Sequence, residues 1–166
     1  MKARYRVHNS TLIEAPVGVA WSEMRDLAHL VDIIMVANHQ AYDVQWDEEG
    51  GAASIPNTMQ LTLIHESLPS SRTITQEVTG RCDATRVLSY RITQNELGIE
   101  EHRASYTLKE ITSHPELSLW EWVVEFSVAP EANEQVLVNY FEETVADNVD
   151  KVRRHFSDTG RDLSVL

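Results

Sequence analysis

Leu117-Ser-Leu-Trp120-Glu-Trp122-Val-Val-Glu-Phe126-Ser-Val128, closed by Ala129-Pro130, is the stretch on which the reading of this 166-residue chain turns. In an extended strand alternate side chains face opposite ways, so Trp120, Trp122, Val124 and Phe126 share one face. Glu121, Glu125 and Ser127 share the other with Leu119 and Val123. Two indoles and a phenyl on one side, carboxylates on the other, predict a strand with one buried face. After the Ala-Pro break the period changes. Val138, Phe141, Val145, Val149, Val152 and Phe156 recur at spacings of three and four, which predicts one long amphipathic helix from Glu131 to about Phe156. Glu131 and Glu134 near its start and Lys151, Arg153, Arg154 and His155 in its last turns complement the helix dipole. Gly160 falls just beyond it, and 157–166 is expected to be a frayed tail.

Upstream of this pair the period is two. Runs rich in β-branched and aromatic residues at Tyr42–Asp47, Thr58–His65, Thr73–Gly80, Arg86–Thr93 and Glu100–Ile111 are separated by turn residues, as in an antiparallel meander. Arg4–Glu14 adds a first strand, giving about seven. It stops at Ala15-Pro16, where proline opens a helix readily. Val17, Ala20, Trp21 and Met24 then fall at i, i+3, i+4 and i+7, and Leu27, Leu30, Val31 and Ile34 repeat the spacing. Two short helices are expected there.

These elements define an α+β fold: a curved antiparallel sheet of about seven strands wrapped around the C-terminal helix, with two short helices after the first strand. One layer must cover the other. The whole chain, 1–166, is expected to form one domain with its core over about 4–156. The inward faces of neighbouring strands then carry Ile74, Gln76 and Val78; Leu88, Tyr90 and Ile92; and His102, Ala104, Tyr106 and Leu108. With Trp120, Trp122, Val124 and Phe126, and with Phe141, Val145, Asn148 and Val149 from the helix, they form an apolar surface with a few polar tips. A small-molecule pocket is built from that mixture. An ordinary core accounts for any one of Tyr90, Tyr106 or His102 taken singly, because buried phenols and imidazoles often find backbone partners. The cluster is the argument.

Composition narrows the partners. The formal charge of -12 repels phosphate backbones and anionic lipid surfaces, so nucleic-acid binding is not expected. No run approaches the roughly 20 apolar residues that span a bilayer, so integral membrane association is not expected either. The N-terminus carries no apolar signal core, and the single cysteine, Cys82, forms no internal disulfide; both fit a cytoplasmic protein. Cys82 is read as structural.

With those residues in view, the chain resembles a known superfamily. Thr11-Leu-Ile-Glu-Ala-Pro-Val-Gly-Val-Ala-Trp21 with Arg25-Asp26, then Ile74-Thr-Gln-Glu-Val78, Asp83 and Arg86-Val-Leu-Ser-Tyr-Arg-Ile92, and finally Leu119-Trp-Glu-Trp122 with the closing helix, resemble the START and birch-pollen-allergen superfamily, also called SRPBCC. The likeness runs from about Val7 to Phe156 and lies nearest its bacterial polyketide cyclase/dehydrase and lipid-transport branch. The resemblance implies a helix-grip fold whose sheet and C-terminal helix enclose a cavity for a hydrophobic small molecule. Ser67-Leu68-Pro69 is similar to part of the gating loop of the plant hormone receptors in that superfamily. Their basic pocket lysine has no counterpart in Tyr42–Asp47, so hormone sensing is not expected.

The remaining chemistry is sparse. The seven histidines form no His-x-His, His-x-x-x-His or Glu-x-x-His pair, so neither a metal nor another cofactor is expected. Gly50-Gly51 reads as a hairpin tip between acids rather than a phosphate loop, and no serine or cysteine stands in a nucleophile context. Three functions follow. The first is binding or transport of a lipid, polyketide or similar metabolite. The second is a cofactor-independent polyketide aromatase/cyclase or dehydratase, with His102 as general acid or base, Tyr90 or Tyr106 holding an oxyanion, and Gln76 or Asn148 orienting a carbonyl. The third is a protein-interaction adaptor that uses the acidic surface. Oligomeric state is not legible.

Overall fold

The computed structural model describes residues 2–36, 44–46, 55, 57–63 and 72–163. The element order is β1 (Arg4–Ile13), α1 (Val17–Met24), α2 (Leu27–Val36), β2 (Val44–Trp46), β3 (Asn57–Leu63), β4 (Arg72–Cys82), β5 (Val87–Asn95), β6 (Ile99–Glu110), β7 (Ser118–Val128) and α3 (Glu134–Leu163). The strands form one seven-stranded antiparallel sheet in the order β1-β7-β6-β5-β4-β3-β2. The meander thus runs from β2 to β7, and β1 returns to pair with β7. Alternation along β7 sets the inside of the sheet: Trp120, Trp122, Val124 and Phe126 are buried, and Glu121, Val123 and Glu125 are half-buried on the other face.

That other face is lined with opposite charges. Arg6 pairs with Glu125, Lys109 with Glu121, Arg91 with Glu77 and Arg4 with Glu101. Cross-strand pairs of this kind suit a solvated sheet face and add little stability each.

Register shifts interrupt β4 between Thr75 and Gln76 and again between Val78 and Gly80, and β6 between Glu100 and Arg103. Bulges bend a strand and increase its local twist, so these interruptions add curvature to β4 and β6. Within the β6 bulge Glu101 adopts φ 50, the left-handed region.

The residues behind the superfamily likeness act as fasteners. Trp21 donates from Nε1 to Asp83 Oδ1 at 2.9 Å, and Arg25 grips the same carboxylate through Nε and Nη2 at 3.1 and 2.8 Å. These bonds tie α1 to the β4–β5 turn and hold the Asp83 carboxyl below its ordinary range, the indole hydrogen bond first. Asp26 Oδ1 accepts the Ala28 amide at the start of α2. Tyr106 donates its phenol to the carbonyl of Met24 at 2.6 Å, satisfying an oxygen left open at the end of α1.

Two expectations about α3 are corrected. It begins at Glu134 rather than Glu131, because Ala132 donates to the Ala129 carbonyl in a preceding turn and Asn133 caps the helix by accepting the Val136 amide. It continues to Leu163, past Phe156 and through Gly160; glycine inside a helix costs only about 1 kcal/mol. Lys151, Arg153, Arg154 and His155 therefore lie mid-helix and serve as ion-pair partners: Lys151 with Asp147, Arg153 and Arg154 with Asp150, and His155 with Glu23 of α1. Cys82 is also corrected: it is exposed at the end of β4 and fills no core.

The β5–β6 hairpin is organised by Asn95. Its Oδ1 accepts the amides of Leu97 and Ile99, and its Nδ2 donates to the Ile99 carbonyl. Gly98 completes the turn at φ 81, and a Cβ there would lie 2.6 Å from the Ala132 Cβ. Gly98→Ala is expected to cost about 2 kcal/mol, from the left-handed backbone alone and before any displacement of Ala132. A urea unfolding midpoint unchanged from the parent would contradict this.

Candidate ligand cavity

Among the described residues, thirty-one buried apolar side chains form one core cluster, but they do not fill the space evenly. A cavity of about 90 Å³ lies at the β5–β6 hairpin end of the sheet. Ile74, Gln76, Tyr90, Ile92, His102, Trp122 and Val124 form the sheet side, and Phe141 and Val145 come from α3. All nine are among the residues expected from sequence to face a ligand.

The other eight lie elsewhere. Val78, Leu88, Ala104, Tyr106, Trp120, Phe126 and Val149 are buried but do not line the cavity, and Asn148 is half-buried outside it. Position along each strand is the reason. Leu88, Tyr106 and Trp120 occupy the half of the sheet nearer α1, where the packing is closed; Trp120 meets Tyr106 edge-on at 6.1 Å and stacks on Trp122 at 5.7 Å. Tyr106 spends its hydroxyl on Met24, so it has no oxyanion-holding position.

The sequence reading missed the opposite wall. Leu27, Leu30, Val31 and Ile34 of α2 line the cavity, with Leu61 from β3, Leu97 from the hairpin turn, and Tyr140 and Thr144 from α3. Their helical spacing marked the α2 residues as buried. Nothing in that spacing says what they face.

The polar groups are few and specifically held. Trp122 donates from Nε1 to the Tyr90 hydroxyl oxygen at 3.0 Å, which leaves the phenol proton free to donate. Burial pushes the Tyr90 phenol well above its ordinary value, and the bond from Trp122 offsets only part of that. Burial likewise pushes Tyr140 up to about 12, with Thr144 opposing. Gln76 Oε1 is buried with no hydrogen-bond partner among the described residues.

His102 accepts the Ile92 amide on Nδ1 at 3.1 Å. Its proton therefore resides on Nε2, and the ring is a donor. It is 5% exposed, and burial lowers its pKa to about 4, so at neutral pH it carries no charge. The cavity thus offers donors from Tyr90 and His102 and an acceptor in Gln76, set in apolar walls, with no ionised side chain among its described lining residues. Such a site binds and orients a neutral polar group better than it removes a proton from one. Among the described residues no three His, Cys, Asp or Glu side chains come together in a way that could hold a metal.

The family model "Polyketide cyclase / dehydrase and lipid transport" matches residues 4–157 of this sequence. The chain belongs to that family. Solved structures share the fold described above at low identity. An aromatase/cyclase, Zhui, from Streptomyces sp. R1128 superposes with a TM-score of 0.71 at 16% identity over 93% of this chain and 94% of its own. Norcoclaurine synthase from Thalictrum flavum, in complex with dopamine and hydroxybenzaldehyde, gives 0.73 at 11% identity over 95% and 88%. A protein from Nitrosospira multiformis gives 0.71 at 15% identity over 95% and 99%. No curated protein sequence matches the chain. The expected curved sheet with a long C-terminal helix and two short helices after the first strand is thus the observed fold, and among the described residues no helix is long and apolar enough to cross a membrane.

Proposed function

We propose that this member of the family binds a small hydrophobic molecule carrying one or two neutral polar groups, as a cytoplasmic carrier or sequestering protein. The observation that supports the reading most is the unpartnered Gln76 Oε1 inside an otherwise apolar cavity. A buried acceptor without a donor costs about 1–3 kcal/mol, a cost that a ligand hydroxyl would remove. Size favours a single ring or a short branched chain. A dry engineered cavity of about 150 Å³ takes benzene, whereas this one measures about 90 Å³, so even one ring requires α2 to yield slightly. The single-ring aromatics named in the norcoclaurine synthase complex are of this order. A fused polyketide or a diacyl lipid is not.

The cyclase alternative draws on the Trp122–Tyr90 pair, which presents a phenol donor where an enolate oxygen would develop. His102 argues against it as the base, since its acceptor nitrogen already holds the Ile92 amide. The adaptor alternative draws least support: Leu12, Val19 and Ile55, the large exposed apolar residues among those described, lie on β1, on α1 and before β3.

Calorimetric titration with 4-ethylphenol and with 4-ethylanisole tests the binding reading. The phenol is expected to bind about ten-fold more tightly, the worth of one buried hydrogen bond. Gln76→Leu is expected to abolish that preference while raising the thermal stability of the ligand-free protein, because it removes the orphaned acceptor. A preference that survives the substitution, or no binding of either compound, would refute the reading.

A further inference from the structure

The register of β5 with β6 stops at Tyr90↔Ala104. The two strands meet again only at the hairpin turn, where Asn95 holds Ile99. Between these points lies a window in the sheet. The link across it is the Ile92 amide donating to His102 Nδ1, an imidazole standing where a strand carbonyl would be. The β6 bulge, with Glu101 in the left-handed region, turns His102 to that place.

Ile92 and His102 line the inner cavity, and they also line a groove of about 490 Å³ on the outer face of the sheet. The rest of that groove is Arg4, Arg91, Thr93, Glu101 and Arg103. Three guanidinium groups face one carboxylate there, on a chain whose overall charge is -12. Arg4 is paired with Glu101 and Arg91 with Glu77, whereas Arg103 makes no ion pair with a described residue. Arg91 and Arg103 also line a second outer groove, of about 410 Å³, which contains Glu125. The two arginines thus stand where the outer grooves join, directly outside the window.

Resting on the binding reading above, we propose that the β5–β6 window is a second mouth of the cavity. Arg91 and Arg103 take the acidic end, a carboxylate, of a ligand whose apolar body occupies the interior. The paired register of β5 with β6 does not extend into this stretch, where the Ile92 amide is held by the His102 side chain instead. A guanidinium presents a planar fork that matches a carboxylate, and the groove is wide enough for its solvated end. The ligand class is an aryl- or alkyl-carboxylic acid with a chain long enough to cross one sheet layer, so that inside the cavity it presents only apolar and neutral groups and its charge stays in the outer groove.

The test is titration of the full chain with 6-phenylhexanoate and with 6-phenylhexan-1-ol, which share a body and differ in charge. The acid is expected to bind about ten-fold more tightly at low ionic strength, with the advantage shrinking as salt is added. In the Arg91→Gln/Arg103→Gln double variant the acid should fall to the level of the alcohol, while the alcohol binds as before, which shows that the variant is folded. An acid advantage that persists in the double variant, or an acid no tighter than the alcohol in the parent, overturns the second mouth and leaves the cavity reading standing. Failure of both compounds while 4-ethylphenol still binds overturns the second mouth alone, and failure of 4-ethylphenol as well overturns the cavity reading and the second mouth with it.

Discussion

Trp120→Ala is expected to lower the free energy of unfolding by about 3–5 kcal/mol, the range for removing a large aromatic from a packed core. Trp120 has 0% exposure, stacks on Trp122 and meets Tyr106 edge-on. It lies in the closed half of the molecule, so its loss leaves a void that α1 and the sheet can close only in part. A total stability of 5–15 kcal/mol is usual for a domain, so the loss is a large fraction of what is available. Trp120→Phe should behave quite differently. Trp120 Nε1 has no hydrogen-bond partner among the described residues, so phenylalanine removes an unpaired buried donor while giving up less volume, and the two effects offset within about 1 kcal/mol. Urea unfolding followed by circular dichroism separates the variants. Equal losses in both would mean that the indole nitrogen is hydrogen-bonded after all and that losing that bond, rather than volume, sets the cost.

Acid sensitivity centred on His102 is the second large effect. Folding holds the imidazole near a pKa of about 4, whereas the unfolded chain protonates near 6.5. The unfolded state therefore takes up the extra proton as pH falls. The stability that His102 contributes is fully present above pH 6.5, is lost progressively between 6.5 and about 4, and changes no further below that, where both states are protonated. The whole span is worth about 3 kcal/mol, of which about 2 kcal/mol should have gone between pH 7.5 and pH 5. His102→Gln keeps an acceptor for the Ile92 amide and has nothing to titrate. Its unfolding free energy should fall about 2 kcal/mol less than the parent's over the same interval. Identical slopes in parent and variant would show that His102 is solvated, and that neither the cavity nor the window shields it.

Much of the fold was legible before any coordinates. The two-residue period fixed which side of β7 is buried, and Trp120, Trp122, Val124 and Phe126 all lie inside. The same parity holds for Leu88 and Tyr90, for His102, Ala104, Tyr106 and Leu108, and for Met59 and Leu61, because a one-residue slip would have put an entire polar face in the core. The ends of α3 were less legible. A cap such as Asn133 competes with its neighbours for the same amides, and a single glycine in a long helix costs too little to stop it.

The site was half legible. Parity says that a residue points inward; it does not say whether the space opposite is filled. Tyr90 and Tyr106 occupy equivalent inward positions, yet one presents its hydroxyl to a cavity and the other closes a hydrogen bond to Met24. The difference lies in what stands across from each: α2 and the first turns of α3 opposite Tyr90, the end of α1 opposite Tyr106.

From the sequence alone came the element types, the buried faces, the sheet-and-helix layering and the family likeness, because local periodicity and the need to cover an apolar face are properties of the chain itself. The tertiary structure alone decided where the core is hollow, that α2 forms its far wall, and that β5 and β6 part to leave His102 across a window. Those features depend on distances between segments remote in sequence and on how far each side chain reaches across the gap, and no spacing along the chain encodes either.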